Sequence, residues 1–293
     1  MNFLFPNELS VRTEASGGDV APRVEHGPGG GPDGRTRVIL LIHGYDNSIE
    51  SARDAYKNFR NNFQTELATQ AGAKSVLADM YEFFWPGDKA WPPLLHYLSY
   101  PLEIKLAVES GKSLARFLAT LSGPGGVQVS VLLIAHSLGN RVLLEMLNEL
   151  ANQLQTQPNG VEIAGICLMA AAVPVSKVES GGKLHRVSTA ARSCVLSSVD
   201  DTVLHYAFPP GETASGDAFW PTAVGRYGQP EGQWGTSKPM PGYKHGDYWK
   251  KKETIDPVAR FLGQTVPNRL SANSLRTNSI ADAVFATNSI RPK

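Results

Sequence analysis

Along the middle of the chain, short and almost uninterrupted apolar runs alternate with longer segments in which apolar residues recur every three or four positions. The uninterrupted runs predict buried strands over residues 37–42, 80–85, 127–135, 162–173 and 193–199. The periodic segments predict amphipathic helices over residues 48–69, 102–121 and 138–154, and a final helix that ends near Leu262. Apolar strands that alternate with helices are typical of a mostly parallel sheet covered on both faces. We therefore predict a three-layer α/β fold.

The two ends of the chain lack this periodicity. Gly, Pro and charged residues dominate residues 13–36, whereas Asn, Ser and Thr are frequent in residues 264–293. Segments of such composition bury too little apolar surface to offset the entropy of folding. We therefore predict a flexible N-terminal segment over residues 1–36, one α/β domain over residues 37–263, and a flexible C-terminal tail over residues 264–293.

The junction between the strand at 127–135 and the helix at 138–154 carries the most informative motif, Ala135-His136-Ser137-Leu138-Gly139. A strand, a tight turn with serine at its apex and a helix together form the arrangement called a nucleophile elbow. Ala135 and Gly139 are small enough to let the strand and helix backbones approach each other. We predict that Ser137 is the nucleophile and that the N–H of Leu138, at the helix N-terminus, binds an oxyanion.

A serine hydroxyl needs a general base, so a histidine must lie beside it. In this type of site the chain order is serine, then acid, then histidine. His245, late in the chain and before the final helix, satisfies that order, and we predict it as the base. His205, four residues after Asp201, is the alternative. His136 adjoins the serine, but we expect its side chain to point elsewhere on the turn and to have a structural role.

The acid is expected in the loop after the strand at 193–199, where Asp200 and Asp201 stand side by side. We favour Asp201, which would orient the imidazole and stabilise its charged form. The choice between the two carboxylates stays open. Either of them could instead cap a helix N-terminus, a position where aspartate is a preferred residue.

The loop after the first buried strand, His43-Gly44-Tyr45, is predicted to complete the site. Gly44 lets the backbone turn close to the substrate, and the N–H of Tyr45 would be the second oxyanion donor. Aromatic residues and prolines then crowd residues 86–101. We predict a substrate pocket lined by Gly44, Trp85, Trp91 and His136. The alternative, an aromatic connection packed on the core, is equally compatible with the sequence.

Composition narrows the function classes further. The 28 basic and 27 acidic residues leave a net charge of +1, which argues against a nucleic-acid partner. Cys167 and Cys194 lie in apolar runs and are predicted to be buried thiols. No metal-binding spacing is present, so we predict no metal and no cofactor. Residues 1–10 lack the pattern of a signal peptide, and no apolar run approaches the roughly 18 residues of a membrane span. We expect a cytoplasmic protein without stable membrane insertion.

Taken together, these segments resemble the α/β-hydrolase superfamily. More narrowly, the chain is similar to a bacterial group of α/β hydrolases of unknown function that pair an HG[FY]-x-[NT]-S loop with a WP strand end. The matching segments are HGYDNS at 43–48, FWPG at 84–87, AHSLGNR at 135–141 and SVDDTVL at 198–204. The resemblance covers about residues 37–262 and implies a Ser-Asp-His hydrolase. That fold normally places a strand just before the histidine, but residues 208–244 are rich in Gly and Pro and show no clear strand.

We therefore predict a serine hydrolase that cleaves carboxylic ester bonds of a small-molecule substrate through an acyl-enzyme. The same triad would serve an acyltransferase or an amidase, and the fold could also act as a non-catalytic binding module. The natural substrate, its chain length, the oligomeric state and any protein partner are not determined by the sequence.

Overall fold

The computed structural model describes residues 4–66, 73–88, 96–153 and 161–265. Eight strands form one sheet in this part of the chain: β1 Glu8–Arg12, β2 Val20–His26, β3 Arg37–Ile42, β4 Met80–Phe84, β5 Val129–His136, β6 Val161–Met169, β7 Ser193–Ser197 and β8 Thr236–Pro239. Their spatial order is β2-β1-β4-β3-β5-β6-β7-β8. Every neighbouring pair is parallel except β1 and β2.

Helices cover both faces of this sheet. Their bounds are α1 Ile49–Glu66, α2 Ala73–Ala78, α3 His96–Ala119, α4 Gly139–Gln153, α5 Val175–Val178, α6 His185–Ala190, α7 Phe208–Ser215, α8 Val224–Tyr227 and α9 Ile255–Thr265. A π-helical turn over Val203–Ala207 leads directly into α7, and two short 3-10 turns occupy Pro124–Gly126 and Lys252–Thr254.

Strand β3 is an uninterrupted run of apolar residues after Arg37, and its position in the sheet explains why. Val38, Leu40 and Ile42 face a core completed by α3 and α4, whereas Ile39 and Leu41 face a second core completed by α1 and α9. Because both faces of the strand are buried, no alternation of polar and apolar residues remains. The predicted α/β class and its three layers are confirmed. The thiols of Cys167 and Cys194 are buried side by side across β6 and β7, as predicted.

The N-terminal prediction requires a correction. Residues 1–36 were expected to be flexible, yet β1 is entirely buried and pairs with β4, and β2 pairs with β1 at the sheet edge. Only Leu9 and Val11 supply apolar side chains in β1, which is too few to produce a detectable period. The sheet therefore extends through residues preceding the predicted domain. The predicted C-terminal tail lies outside the described residues from position 266 onward.

The strand that the sequence analysis did not find is β8, which pairs in parallel with β7. All four of its residues are exposed, so no apolar pattern marks it. Its carboxyl end leads to the loop that carries His245, as the fold requires. In the part of the chain described here, no helix is both long enough and apolar enough to cross a membrane.

Candidate active site

The turn between β5 and α4 places Ser137 in a strained backbone conformation. Its φ is +54°, in the left-handed region that side chains other than glycine rarely adopt. The N–H of Ser137 donates to the carbonyl of Met169 at 3.0 Å, and the N–H of Ala172 donates to the carbonyl of Ser137 at 3.2 Å. The amide of Asn140 donates to both carbonyls, at 3.0 and 3.1 Å. These four contacts hold the serine hydroxyl at the carboxyl edge of the sheet.

Two glycines make this turn possible. A Cβ atom on Gly139 would overlap the carbonyl oxygen of His43 and would stand 2.8 Å from that of Ile42. A Cβ atom on Gly44 would stand 2.6 Å from the Cβ of Ser137. The expectation that a small residue at position 139 permits close backbone approach is therefore confirmed.

The structure brings together the three side chains that the sequence grouped as nucleophile, base and acid. The Nε2 atom of His245 lies 2.7 Å from the Oγ of Ser137, and its Nδ1 atom lies 2.8 Å from the Oδ2 of Asp201. A carboxylate only accepts, so Nδ1 carries the hydrogen and Nε2 is free to accept the serine proton. The Asp201 side chain is fully buried, whereas that of His245 is 18% exposed on the cavity side.

Asp201 also caps the π-helical turn, a role that the sequence analysis had set against the triad role. Its Oδ1 atom accepts the N–H groups of Val203 at 3.1 Å and Leu204 at 3.0 Å. One oxygen thus fixes the carboxylate while the other contacts His245. The neighbouring Asp200 is exposed, and its carboxylate accepts the N–H of Gly242 at 2.7 Å instead.

The other candidate histidines occupy different environments. His205 is exposed and lies edge-on against the ring of Tyr206, with 4.1 Å between ring centroids. His136 is buried beneath the site, where its Nε2–H donates to the backbone carbonyl of His245 at 2.7 Å. Burial, together with the nearby His245 ring, lowers the pKa of His136 to about 3, so this imidazole stays neutral. His136 therefore holds the backbone that presents His245.

His43 and Trp85 form the floor under the loop after β3. Their rings stack at 5.6 Å, and the indole N–H of Trp85 donates to the carbonyl of His43 at 2.8 Å. The Nδ1–H of His43 donates to the carbonyl of Gly44 at 2.8 Å, and burial lowers the pKa of His43 to about 3. The prediction that Trp85 lines the substrate pocket is wrong. Its side chain is fully buried because it supports the loop from below.

Leu138 and Tyr45 belong to the two backbone segments next to the serine, since Leu138 follows Ser137 and Tyr45 follows Gly44, whose Cα lies beside the Ser137 side chain. Leu138 directly precedes α4, where N–H groups have no partner within the helix. Tyr45 packs edge-on against Tyr100 at 6.0 Å, and the amide of Asn47 donates to the carbonyl of Tyr45 at 2.8 Å, which orients the following peptide. Their assignment as oxyanion donors stays a prediction.

Arg12 is a supporting residue that the sequence analysis missed. Its guanidinium is fully buried, forms an ion pair with Asp88, and donates to the carbonyls of Trp85 at 2.9 Å and Asn47 at 3.2 Å. It thereby ties β1 to the loop that carries Tyr45. The sequence did offer one indication, since Arg12 follows the alternating apolar residues Leu9 and Val11 of a short strand. The glycine-rich stretch that follows made this strand hard to recognise.

A cavity of about 740 Å³ opens beside Ser137 and His245. Its apolar wall consists of Tyr100, Val203, Leu204, Ala207 and Phe208. Its polar wall consists of Asp46, Asn47, Ser51, Asp54, Asn58 and Lys250. Of the predicted pocket residues, His136 lines the cavity and Gly44 lies behind Ser137. Trp91 falls outside the described residues.

This arrangement has the parts needed to activate a serine hydroxyl: a nucleophile, a base within hydrogen-bond reach, and a carboxylate that orients the base. Among the residues that the structure describes, no group of three or more His, Cys, Asp or Glu side chains is arranged to hold a metal ion.

Over residues 32–208 the chain matches the sequence profile of a family described as alpha/beta hydrolase of unknown function (DUF900). A search of the curated proteins returned no match.

Solved structures with a similar fold share little sequence with this chain. A "predicted CIB-like hydrolase" from Thermoplasma acidophilum is 15% identical, covers 79% of this chain and 87% of its own, and has a TM-score of 0.39. TT1662 from Thermus thermophilus is 14% identical, with coverage of 78% and 89% and a TM-score of 0.40. A thermophilic esterase from the Planctomycetes species Thermogutta terrifontis is 11% identical, with coverage of 87% and 88% and a TM-score of 0.37. Such distant likenesses add no argument about chemistry.

Proposed function

We propose that this chain, which belongs to the DUF900 family of α/β hydrolases of unknown function, is a serine hydrolase that cleaves carboxylic esters with Ser137 as nucleophile. One observation carries the proposal. The imidazole of His245 contacts the Oγ of Ser137 at 2.7 Å and the carboxylate of Asp201 at 2.8 Å, an arrangement that suits a general base.

In the proposed reaction the Oγ of Ser137 attacks the ester carbonyl carbon while His245 takes the hydroxyl proton. The N–H groups of Leu138 and Tyr45 stabilise the oxyanion of the tetrahedral intermediate. The intermediate collapses when the C–O bond to the alcohol breaks and His245 returns the proton to the leaving oxygen. Water, deprotonated by the same imidazole, then attacks the acyl-enzyme and releases the acid and free Ser137.

The electrostatics around the imidazole favour this cycle. Asp201 stands directly behind His245 and stabilises the imidazolium that forms in each half-reaction. Two backbone N–H groups on its other oxygen hold the carboxylate in place. His136 and His43, the other buried imidazoles nearby, have pKa values of about 3 and so add no competing positive charge near neutral pH.

A fluorophosphonate probe tests the proposal because it phosphonylates only an activated serine. We expect covalent labelling of the native protein at Ser137, none in Ser137→Ala, and labelling slowed by at least about 10³-fold in His245→Ala. The matched control is His205→Ala, the exposed alternative base, which should label at the native rate. Nitrophenyl acetate hydrolysis should follow the same order.

The proposal fails if the folded native protein, checked by circular dichroism, neither labels nor hydrolyses esters above the Ser137→Ala background. In that event the fold acts as a binding module. Equal labelling of the native protein and His245→Ala would remove His245 from the mechanism.

A further inference from the structure

The cavity beside Ser137 has walls of opposite polarity, and we propose that it accepts esters that join an apolar acyl chain to a neutral polyhydroxylated alcohol such as glycerol or a sugar. This inference rests on the proposed ester hydrolysis and names its substrate class. The volume of about 740 Å³ is within the range of pockets that enclose a whole small ligand. Both halves of an ester therefore fit beside the nucleophile.

The apolar wall comes from the π-helical turn, the start of α7, and α3. Leu204 and Phe208 are buried at its base, and Phe208 packs edge-on against Tyr100 with 6.5 Å between ring centroids. This wall offers hydrocarbon surface at the cavity. Hydrocarbon in contact with it would be stabilised by about 25 cal/mol for each Å² removed from water, so this wall suits the acyl chain.

The polar wall has a different origin. Ser51, Asp54 and Asn58 are spaced by three and four positions, so they lie on one face of α1. Asp46 precedes that helix, and the backbone carbonyl of Lys250 accepts a hydrogen bond from the amide of Asn62 in the same helix at 2.8 Å. None of Asp46, Asp54 and Lys250 forms an ion pair with another of the described residues. The wall thus presents both hydrogen-bond donors and acceptors to a ligand.

The charges on the polar wall select a neutral alcohol. A cationic alcohol would gain from Asp46 and Asp54 but would be repelled by Lys250, and an anionic alcohol would meet two carboxylates. A hydroxyl group both donates and accepts, so a polyol can satisfy the carboxylates, the amide of Asn58 and the ammonium group together. An alkyl alcohol has no hydroxyl groups beyond the ester oxygen. Where it displaces water, the carboxylates, the amide and the ammonium group would lose hydrogen bonds without replacement.

The chain after the histidine fixes which half of the ester lies at which wall. His245 must reach the leaving oxygen to protonate it, so the alcohol lies beside its ring. Gly246, Trp249 and Lys250 follow His245 directly and line the cavity at the polar wall. The alcohol therefore points to the polar wall and the acyl chain to the apolar wall.

Three butyrate esters with one common acyl group test the assignment: glyceryl monobutyrate, propyl butyrate and butyrylcholine. We expect kcat/KM for the glyceryl ester to exceed that for each of the others by at least about tenfold, since a site built to bind hydroxyl groups rejects analogues that lack them. Asp54→Ala should reduce the glyceryl-to-propyl ratio about tenfold. Lys57→Ala, on the same helix but outside the cavity lining, is the matched control and should keep the native ratio.

The acyl half is tested separately with nitrophenyl acetate and hexanoate. Phe208→Ala should lower the hexanoate-to-acetate ratio, whereas Asp54→Ala should leave this ratio unchanged. Equal native rates on glyceryl and propyl esters, a preference for butyrylcholine, or equal ratios in Asp54→Ala and Lys57→Ala would each overturn the inference. Fluorophosphonate labelling of the same samples distinguishes a failure of this substrate class from a failure of the proposed ester hydrolysis. Protein that is labelled but shows no preference for the glyceryl ester refutes only the substrate class. Protein that is not labelled refutes ester hydrolysis itself.

Discussion

The elbow and the histidine segment are joined by two hydrogen bonds but are held in different ways. We define the elbow as residues 135–140 and the histidine segment as residues 241–249. Backbone contacts with β6 and the overlap that a side chain on Gly139 would cause fix the elbow. The histidine segment is held by single side chains reaching over long sequence distances, including the bond from His136 to the carbonyl of His245. Close backbone packing and short-range hydrogen bonds determine the elbow, whereas side-chain hydrogen bonds from distant residues determine the path of the histidine segment.

Side chains on two loops set the path of the histidine segment. Asp200 accepts the N–H of Gly242, and the hydroxyl of Ser198 donates to the carbonyl of Tyr243 at 2.9 Å. Tyr248 and Trp249 are almost completely buried and anchor its far end in the core. A substitution among residues 241–247 should therefore shift His245 without unfolding the protein, whereas a substitution at the elbow should affect stability first.

The largest effect is expected at Asp201, whose carboxylate contacts the imidazole of the histidine segment. In Asp201→Asn the amide would donate to Nδ1 of His245, which forces the hydrogen onto Nε2 and removes the base. We expect kcat for ester hydrolysis to fall by about 10⁴-fold with circular dichroism unchanged. Asp200→Asn is the matched control and should lose far less. Similar losses in both variants would show that the acid has been misassigned.

A second test asks whether the loop after β3, which packs against the elbow, depends on the distant residue Arg12. Arg12→Met would leave the Asp88 carboxylate buried without its partner, a change that typically costs about 3–5 kcal/mol. We expect that loss in the free energy of urea unfolding. Arg37→Met, which breaks a partly exposed pair with Asp79, should cost about 1 kcal/mol or less. Equal losses would mean that Arg12 does not hold the loop.

A third test compares glycines from the two regions. In Gly139→Ala the new Cβ meets the backbone carbonyls of His43 and Ile42, which cannot rotate away, and we expect a loss of roughly 3 kcal/mol. Gly242 has a φ of +75° and open space around its Cα, so Gly242→Ala should cost only about 1–2 kcal/mol of backbone strain. The free energies of urea unfolding measure both losses. The reverse order would contradict the contrast between steric and hydrogen-bonded regions.

The same contrast explains what the sequence could predict. The elbow is encoded locally: a buried strand, a serine between small residues and an amphipathic helix follow each other within about 25 residues. Strand β3 was found with its observed bounds for the same reason, since both of its faces are buried. Where the structure of an element is determined by residues close to it in sequence, the periodicity of its apolar residues is sufficient to predict it.

Elements whose structure depends on remote partners were not predictable in this way. Strand β8 has four exposed residues and exists because its backbone pairs with β7. Strand β1 is too short for a visible period, and Arg12 gains its role from Asp88, Trp85 and Asn47, which lie far along the chain. His245 was selected by chain order, while its contacts depend on Ser198, Asp200 and His136, which no local pattern connects with it.

The smallest effect concerns a buried carboxyl group near the helix that follows the elbow, Glu212 of α7. Tyr100 donates to Glu212 at 3.2 Å, and Arg141 of the elbow helix binds Asp217 nearby at 2.6 Å. Burial outweighs the attraction of Arg141 and raises the pKa of Glu212 from its ordinary value of 4.5 to about 7. The folded protein thus binds this proton more tightly than the unfolded chain, so stability falls as pH rises from about 4.5 to about 7.

In Glu212→Gln this pH-dependent loss should disappear. The free energy of unfolding of the variant, taken relative to that of the native protein, should therefore be roughly 2 kcal/mol higher at about pH 8 than at about pH 5. Urea unfolding at both pH values measures the change, and Glu231→Gln, an exposed position, is the matched control. Glu82, whose pKa is also raised to about 7 by burial, adds a loss of the same sign in both proteins and does not affect the difference. If the pH dependence is identical in Glu212→Gln and the native protein, the proton at Glu212 is not coupled to folding.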